Sequence, residues 1–328
     1  MKTSIFTATA LVALLTANVS AAQTTIRIAH AQPEASPLHE ALDHFKTTLE
    51  ERSDGGFVVE LFAGGQLGSV SEATELVQSG NIEMTTGASV LLSSAVPELA
   101  VLDQFLLFDD EEHARNVLDG EAGDTILAAM EERGLKGIGF LELGFRSFTN
   151  SRAPLDSLEA FEGLRMRSAD NPIQIKAWRS IGAVPVPLAW GEIYSSLQQG
   201  LIDGQESALS SMVVERFYEV QDYVSLTGHI YWPEMWFANL EFFNSLSDED
   251  QALLMEVAAE TTDVQRDLVA TANAETLDQL AEEGLAINEL PAEDRAEMGA
   301  TMNAAIEEDI RASVGDEFYD AFSAALNQ

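Results

Sequence analysis

Apolar positions along the chain follow two periods, and the two alternate. Thr24 to Ala29 alternate about Ile26 and Ile28, the two-residue period of a strand with one buried face. Ser36-Pro37 then open a segment in which Leu38, Ala41, Leu42, Phe45 and Leu49 recur at helical spacing, and Gly55-Gly56 stop it. Phe57 to Phe62 read as a second strand broken by Gly64-Gly65, Ser71 to Ser79 as a second helix, and Ile82 to Thr85 as a third strand. A second set begins with strands at Leu135 to Leu143 and Leu164 to Arg167. It continues through a helix over Pro172 to Ile181, a strand over Val184 to Pro187, a helix over Glu192 to Gln199 and a closing segment at Leu201 to Gln205. Ser247 starts a helical stretch that runs to about Glu283, and Leu285 to Leu290 read as a late strand. Helices from Pro291 to about Val314 and from Asp316 to Asn327 finish the chain.

This strand–helix alternation predicts an α/β fold with a parallel sheet covered by helices. No repeat of fixed period, low-complexity tract or flexible linker separates the two sets, so they predict two lobes packed closely together. A cleft between such lobes gathers strand ends and helix N-termini and is a natural ligand site.

The N-terminus carries an address. Lys2 precedes a mostly apolar stretch from Ile5 to Ala17, and Val19-Ser20-Ala21-Ala22 offers small residues for a signal peptidase. The alternative is a membrane anchor, but the stretch falls short of the roughly 18–20 residues that span a bilayer. A cleaved leader ending at Ala21 or Ala22 and a periplasmic location are therefore expected. Cysteine is absent, so neither disulfides nor thiol chemistry contribute.

Charge sharpens the picture. Fifty-five acids face seventeen bases for a formal net charge of −38, and loss of Lys2 with the leader takes this to −39. Such a surface repels nucleic acid and anionic membranes. It also predicts stability that rises with salt, as screening relieves the self-repulsion.

Catalytic and metal signatures are missing. No G-x-S-x-G elbow, Walker loop or calcium loop occurs, and Gly137-Ile138-Gly139 is too short for a dinucleotide fingerprint. His39-Glu40-Ala41-Leu42-Asp43-His44 resembles a zinc helix, but its histidines are five apart where the motif sets them four apart on one face. Both are expected at the surface, and no cofactor or metal is expected.

Against this acidity, Arg146, Arg152, Arg165 and Arg167 fall within 22 positions, among thirteen arginines in all. Arg152 and Arg165 are expected to pair with acids. Arg146 follows a predicted strand and Arg167 ends one, where a guanidinium fork can hold a carboxylate, although an acid partner could occupy either. Trp190, Trp232 and Trp236 sit in loop-like or strand-edge contexts and could wall a pocket or pack in the core.

These motifs resemble the DctP-type solute-binding proteins of tripartite ATP-independent periplasmic (TRAP) transporters, from about Thr25 to Ser323. The runs that carry the likeness are Gly65-Gln66-Leu67-Gly68, Val96-Pro97-Glu98-Leu99 and Gly163-Leu164-Arg165-Met166-Arg167. Gly182-Ala183-Val184-Pro185-Val186-Pro187, Trp190-Gly191-Glu192-Ile193-Tyr194 and Leu197 to Glu206 add to it. The resemblance implies a two-lobe periplasmic binding protein fold with a ligand cleft, a hinge crossed more than once and a long lobe-spanning helix. Residues 1–22 would be the leader, 23–144 with about 231–272 the first lobe, and 145–230 with about 273–328 the second.

By the same likeness the ligand is a small organic acid, clamped by Arg167 with Arg146 in support, and Trp190 stacks on it. Ser207, Asp170 and Glu206 would supply polar contacts, Trp232 would join the wall, and His30 and Ser89 would close over the ligand from the first lobe. Ser207 stands where the family often has asparagine. Asp170, Glu234 and the tryptophans suggest an amine-bearing or zwitterionic ligand. The implied partners are the small and large TRAP permease subunits, with the binding protein itself a monomer. An ABC-transporter or sensor protein would share this cleft chemistry. An enzyme acting on organic acids would need a general base beside a reactive centre, and no motif nominates one.

Overall fold

A computed structural model describes residues 23–326; the expected leader and Asn327 lie outside the described residues. The strands are β1 (Thr24–Ala29), β2 (Phe57–Phe62), β3 (Met84–Ala88), β4 (Leu135–Asn150) and β5 (Arg165–Ser168), followed by β6 (Val184–Pro187), β7 (Gly204–Ala208), β8 (Tyr223–Leu226), β9 (Tyr231–Asn239) and β10 (Ala286–Glu289). They join in the order β2-β1-β3-β9-β4-β7-β5-β6, with β8 on β4 and β10 on β8. The expected parallel sheet holds at the periphery, where β1 pairs β2 and β3, and β5 pairs β6 and β7. At the centre it does not: β9 runs antiparallel to β3 and β4, and β4 antiparallel to β7 and β8.

β4 changes partners along its length. Up to Phe145 it pairs with β9, and from Arg146 onward it pairs with β7. Its register with β9 shifts between Glu142 and Phe145, where Gly144 has a φ of 91°, a backbone conformation that L side chains rarely adopt. The glycine lets one strand change partners without breaking.

Local sequence explains the helices that flank the sheet. Ser36 caps the helix Pro37–Arg52 by accepting from the His39 amide at 3.2 Å, and Pro37 occupies its first turn. This helix buries Leu38, Ala41, Leu42, Phe45 and Leu49, the stripe read from spacing, against β1, β2 and Trp236. Each of the leucines and the phenylalanine contributes about 1.5–3 kcal/mol by leaving water. The helix Asp248–Glu282 starts on Ser247, with acids at its first three positions complementing the helix dipole. At 35 residues it is about 52 Å long. It packs on both Pro37–Arg52 and Leu209–Val214. Midway, Gln265 bonds both backbone groups of Glu142, at 2.8 and 2.7 Å, and so ties the helix to β4 beside its bulge.

Three boundaries differ from the sequence expectation. β4 continues past Leu143, because the charged residues that break its apolar pattern are buried in pairs. The closing segment Leu201–Gln205 forms its strand later, at Gly204–Ala208, after the Gly200 turn. Tyr231–Asn239 is a strand buried at all nine positions, so it lacks the alternation that marks a half-exposed strand.

Candidate ligand-binding site

A pocket opens between the two groups of strands. One side is made by Ala31, Gln32, Val70, Ala88, Val90 and Leu91 with Trp232 and Glu234 from β9; the other carries Arg146, Arg167, Ala169, Trp190 and Ser211. A more open groove bordered by Arg167, Asp170, Trp190 and the Gly64–Gly68 loop forms its mouth.

Arg167 reaches this cavity from the end of β5 and is 2% exposed. Its Nε donates to the Leu188 carbonyl at 3.1 Å, and its guanidinium lies 5.7 Å from the centre of the Trp190 ring. Among the described residues it forms no ion pair. Burial lowers its pKa to about 10, with the Glu206 charge opposing and Arg146 assisting, so it stays cationic at neutral pH.

Arg146 is equally buried but differently held. Its Nε lies 2.5 Å from Glu206 Oε2, and its Nη2 reaches Glu206 Oε1 at 3.2 Å and the Glu206 carbonyl at 2.7 Å. Its guanidinium also covers Trp232, 4.5 Å from the ring centre. Burial alone would raise the Glu206 pKa, but Arg146 and His229, whose Nε2 is 3.4 Å away, bring it down to about 2. His229 in turn has Nδ1 2.7 Å from the Thr227 hydroxyl, and burial lowers its own pKa. The pair is neutral overall, which leaves Arg167 as the net positive charge.

Two further groups shape the wall. Glu234 accepts from the Thr86 hydroxyl at 2.7 Å; burial raises its pKa to about 7, with that bond and the Arg146 charge opposing. Trp190 donates from Nε1 to Glu215 at 2.6 Å, which fixes its ring between the cavity and the mouth groove.

The family described as bacterial extracellular solute-binding protein, family 7 (DctP), matches residues 28–312. The chain belongs to this family. It is 34% identical, over 82% of either chain, to the 2,3-diketo-L-gulonate-binding periplasmic protein YiaO of Escherichia coli (strain K12). The structure is similar to the sugar acid binding protein DctPAm of Advenella mimigardefordensis strain DPN7T in complex with galactonate, with a TM-score of 0.89 at 30% identity over 93% of this chain and 98% of that one. A TRAP periplasmic solute-binding protein from Sulfitobacter sp. NAS-14.1 with bound β-D-galacturonate gives a TM-score of 0.88 at 26% identity, over 93% of this chain and 100% of that one. The expected two-lobe α/β binding-protein fold is therefore borne out, and this DctP-type chain is a binding protein rather than an enzyme.

The cavity brings together four of the residues that the sequence nominated for this DctP-type site: Arg167, Arg146, Trp190 and Trp232. The other five stand elsewhere. Glu206 faces Arg146, and Ser207, on the other face of the same strand, is buried with its hydroxyl unpartnered and is absent from the wall. Asp170 is exposed at the mouth. His30 is turned to His39, with Nε2 3.0 Å from Nδ1, while its neighbours Ala31 and Gln32 line the cavity. Ser89 is fully buried between Ala88 and Val90, which do line it. His39 and His44 are not free surface residues, since His44 lies 3.3 Å from Glu260. Arg152 and Arg165 do pair with an acid, both reaching Asp203.

The suggestion of an ammonium ligand finds no support here. Trp232 is covered by Arg146 and Trp190 lies beside Arg167, so the protein's own cations already face both cavity tryptophans. Trp236 is in the core, edge-on to Phe45 at 4.8 Å. Glu234, read from sequence only as a sign of an amine-bearing ligand, stands on the wall itself, as do Gln32 and Ser211, which the sequence did not nominate. Reading Tyr231–Asn239 as a strand would have set Glu234 on the Trp232 face, two positions along.

Proposed function

We propose that the protein captures a small organic acid through one carboxylate held by Arg167, and delivers it to the small and large membrane subunits of a TRAP permease. The observation that carries this reading is a buried guanidinium, 2% exposed, without an ion-pair partner among the described residues and lining the pocket beside Trp190. Such a group is costly to bury alone and is relieved by an incoming carboxylate that takes its fork bidentately. Galactonate, β-D-galacturonate and 2,3-diketo-L-gulonate, named for the three similar proteins, each carry one carboxylate.

The lobes are taken as residues 23–144 with about 231–272 and residues 145–230 with about 273–328. The change of β4 partners next to Gly144 supports this division. Export to the periplasm is supported by the Lys2, Ile5–Ala17 and Val19–Ala22 pattern. Among the described residues no helix is long and apolar enough to cross a membrane.

The test is calorimetry with galactonate and galacturonate against the uncharged sugar galactose. The acids should bind at least about 100-fold more tightly than the neutral sugar, the contrast expected when a desolvated charge pair is lost. Galactose binding as tightly as the acids would remove the carboxylate from the reading.

A further inference from the structure

On the pocket wall, β9 carries a buried donor with no partner among the described residues and, beside it, a carboxyl with one oxygen bonded. Trp232 and Glu234 lie two positions apart, hence on one face of the strand, and both line the cavity. Trp232 is 2% exposed, and its Nε1 is a buried donor without a hydrogen-bond partner among the described residues. Its ring cannot simply swing away, because the Arg146 guanidinium lies across it at 4.5 Å and Glu206 holds that guanidinium in place. Glu234, also 2% exposed, has Oε1 fixed by the Thr86 hydroxyl, and β3 and β4 clasp its backbone through the Ala88 and Leu141 pairings. One strand face thus presents a donor that needs an acceptor beside a carboxyl with one oxygen still free to accept.

Few ligand groups satisfy both. Where Glu234 is ionised, above about pH 7, a carboxylate accepts but cannot donate to it, and an ammonium donates but cannot accept from Trp232. A methylene does neither and leaves the buried Trp232 donor unanswered, which is penalised more heavily than a hydrogen bond is rewarded. A hydroxyl both donates and accepts.

We propose that Trp232 and Glu234 form a hydroxyl-reading subsite, selecting polyhydroxylated monocarboxylates over dicarboxylates and unhydroxylated acids. This rests on the carboxylate being held at Arg167. Arg167 supplies affinity for any small acid, and the β9 pair supplies the choice among them. Discrimination of this kind is characteristically large, because the analogue without the hydroxyl leaves the site's own polar groups unpaired.

The experiment is calorimetry at about pH 8.5, where Glu234 is ionised, with galactonate, hexanoate and succinate on four proteins: wild type, Trp232→Phe, Glu234→Gln and Arg167→Ala. Trp232→Phe keeps an aromatic face for Arg146 and removes only the donor; Glu234→Gln keeps shape and an acceptor oxygen but removes the charge. Wild type should prefer galactonate to both other acids by roughly 100-fold or more. Trp232→Phe should weaken galactonate roughly 10-fold and leave hexanoate unchanged. Glu234→Gln should strengthen succinate roughly 10-fold while galactonate changes less. Arg167→Ala should weaken all three together. A wild-type protein that binds the acids without preference, or variants at 232 and 234 that keep the wild-type ratios, would overturn the subsite while leaving the carboxylate clamp intact. Failure of the wild type to bind any of the three would overturn both. Thermal midpoints of the variants within a few degrees of wild type confirm that the ratios report recognition and not misfolding.

Discussion

Arg146 and Arg167 stand two strands apart in one sheet, both almost fully buried, yet the protein treats them in opposite ways. Arg146 is locked to Glu206 on the intervening strand by paired nitrogens and oxygens, and its charge is cancelled on the spot. Arg167 has one bond to a backbone carbonyl and no ion pair among the described residues. Scarcity of acids cannot be the reason, for the chain has fifty-five of them to seventeen bases. The same residue type therefore carries structure in one place and an unmet electrostatic demand in the other. An unpaired buried charge is tolerated where function needs it, at some expense of stability.

The sharpest way to break this contrast is to truncate the unpaired arginine. Arg167→Ala should weaken binding of the acid ligand by roughly 25-fold to a few thousand-fold, the equivalent of about 2–5 kcal/mol. The ligand-free variant should melt no lower than wild type, because the substitution removes a desolvated charge that has no ion-pair partner among the described residues. Arg165→Ala, two residues back on the same strand but exposed and paired with Asp203, should leave affinity within about twofold. Calorimetry with scanning calorimetry on both variants decides. Near-wild-type affinity in folded Arg167→Ala would end the contrast.

Truncating the paired arginine should reverse the balance. Arg146→Ala leaves Glu206 buried and uncompensated, and denaturant unfolding should register a loss of about 3–5 kcal/mol. Adding Glu206→Gln to that variant should restore part of the loss. A single variant as stable as wild type would mean that the pair does not hold the sheet.

A smaller effect follows from the acid itself. Glu206 has a folded-state pKa of about 2, below its ordinary value of 4.5. A depressed carboxylate contributes stability that is fully present above its unfolded pKa and is lost as pH falls toward the folded one. Between about pH 4.5 and 2, wild type should therefore lose stability more steeply than Glu206→Gln, by up to one proton's slope. Parallel curves for the two proteins would refute this.

How much of the molecule was legible beforehand depended on which side of a residue faced water. β1, β2 and the helix Pro37–Arg52 present one face to the core, so their apolar period gave them away. β9 is buried on both faces and the latter half of β4 holds its charges inside, so neither produced a readable period. Arg167 was found because a scarce base sat at a strand end. The identity of Arg146's partner was invisible, since Glu206 lies 60 positions away and only pairing across the sheet brings it near. For the same reason three acids that look alike in sequence have three fates: Asp170 at the mouth, Glu206 in an ion pair and Glu234 on the wall.

The position of β9 has a consequence for how the chain comes to be folded at all. It lies between β3 and β4, so the sheet cannot close around β3 until residue 239 is available, about 150 residues after β3 has been made. β8 waits longer still for its partner β10 at Ala286–Glu289. Contacts so distant in sequence make folding slow, because the loops they close must be ordered before any gain in burial follows. The order of strands in the sheet therefore leaves the fold incomplete until nearly all of the chain has been made.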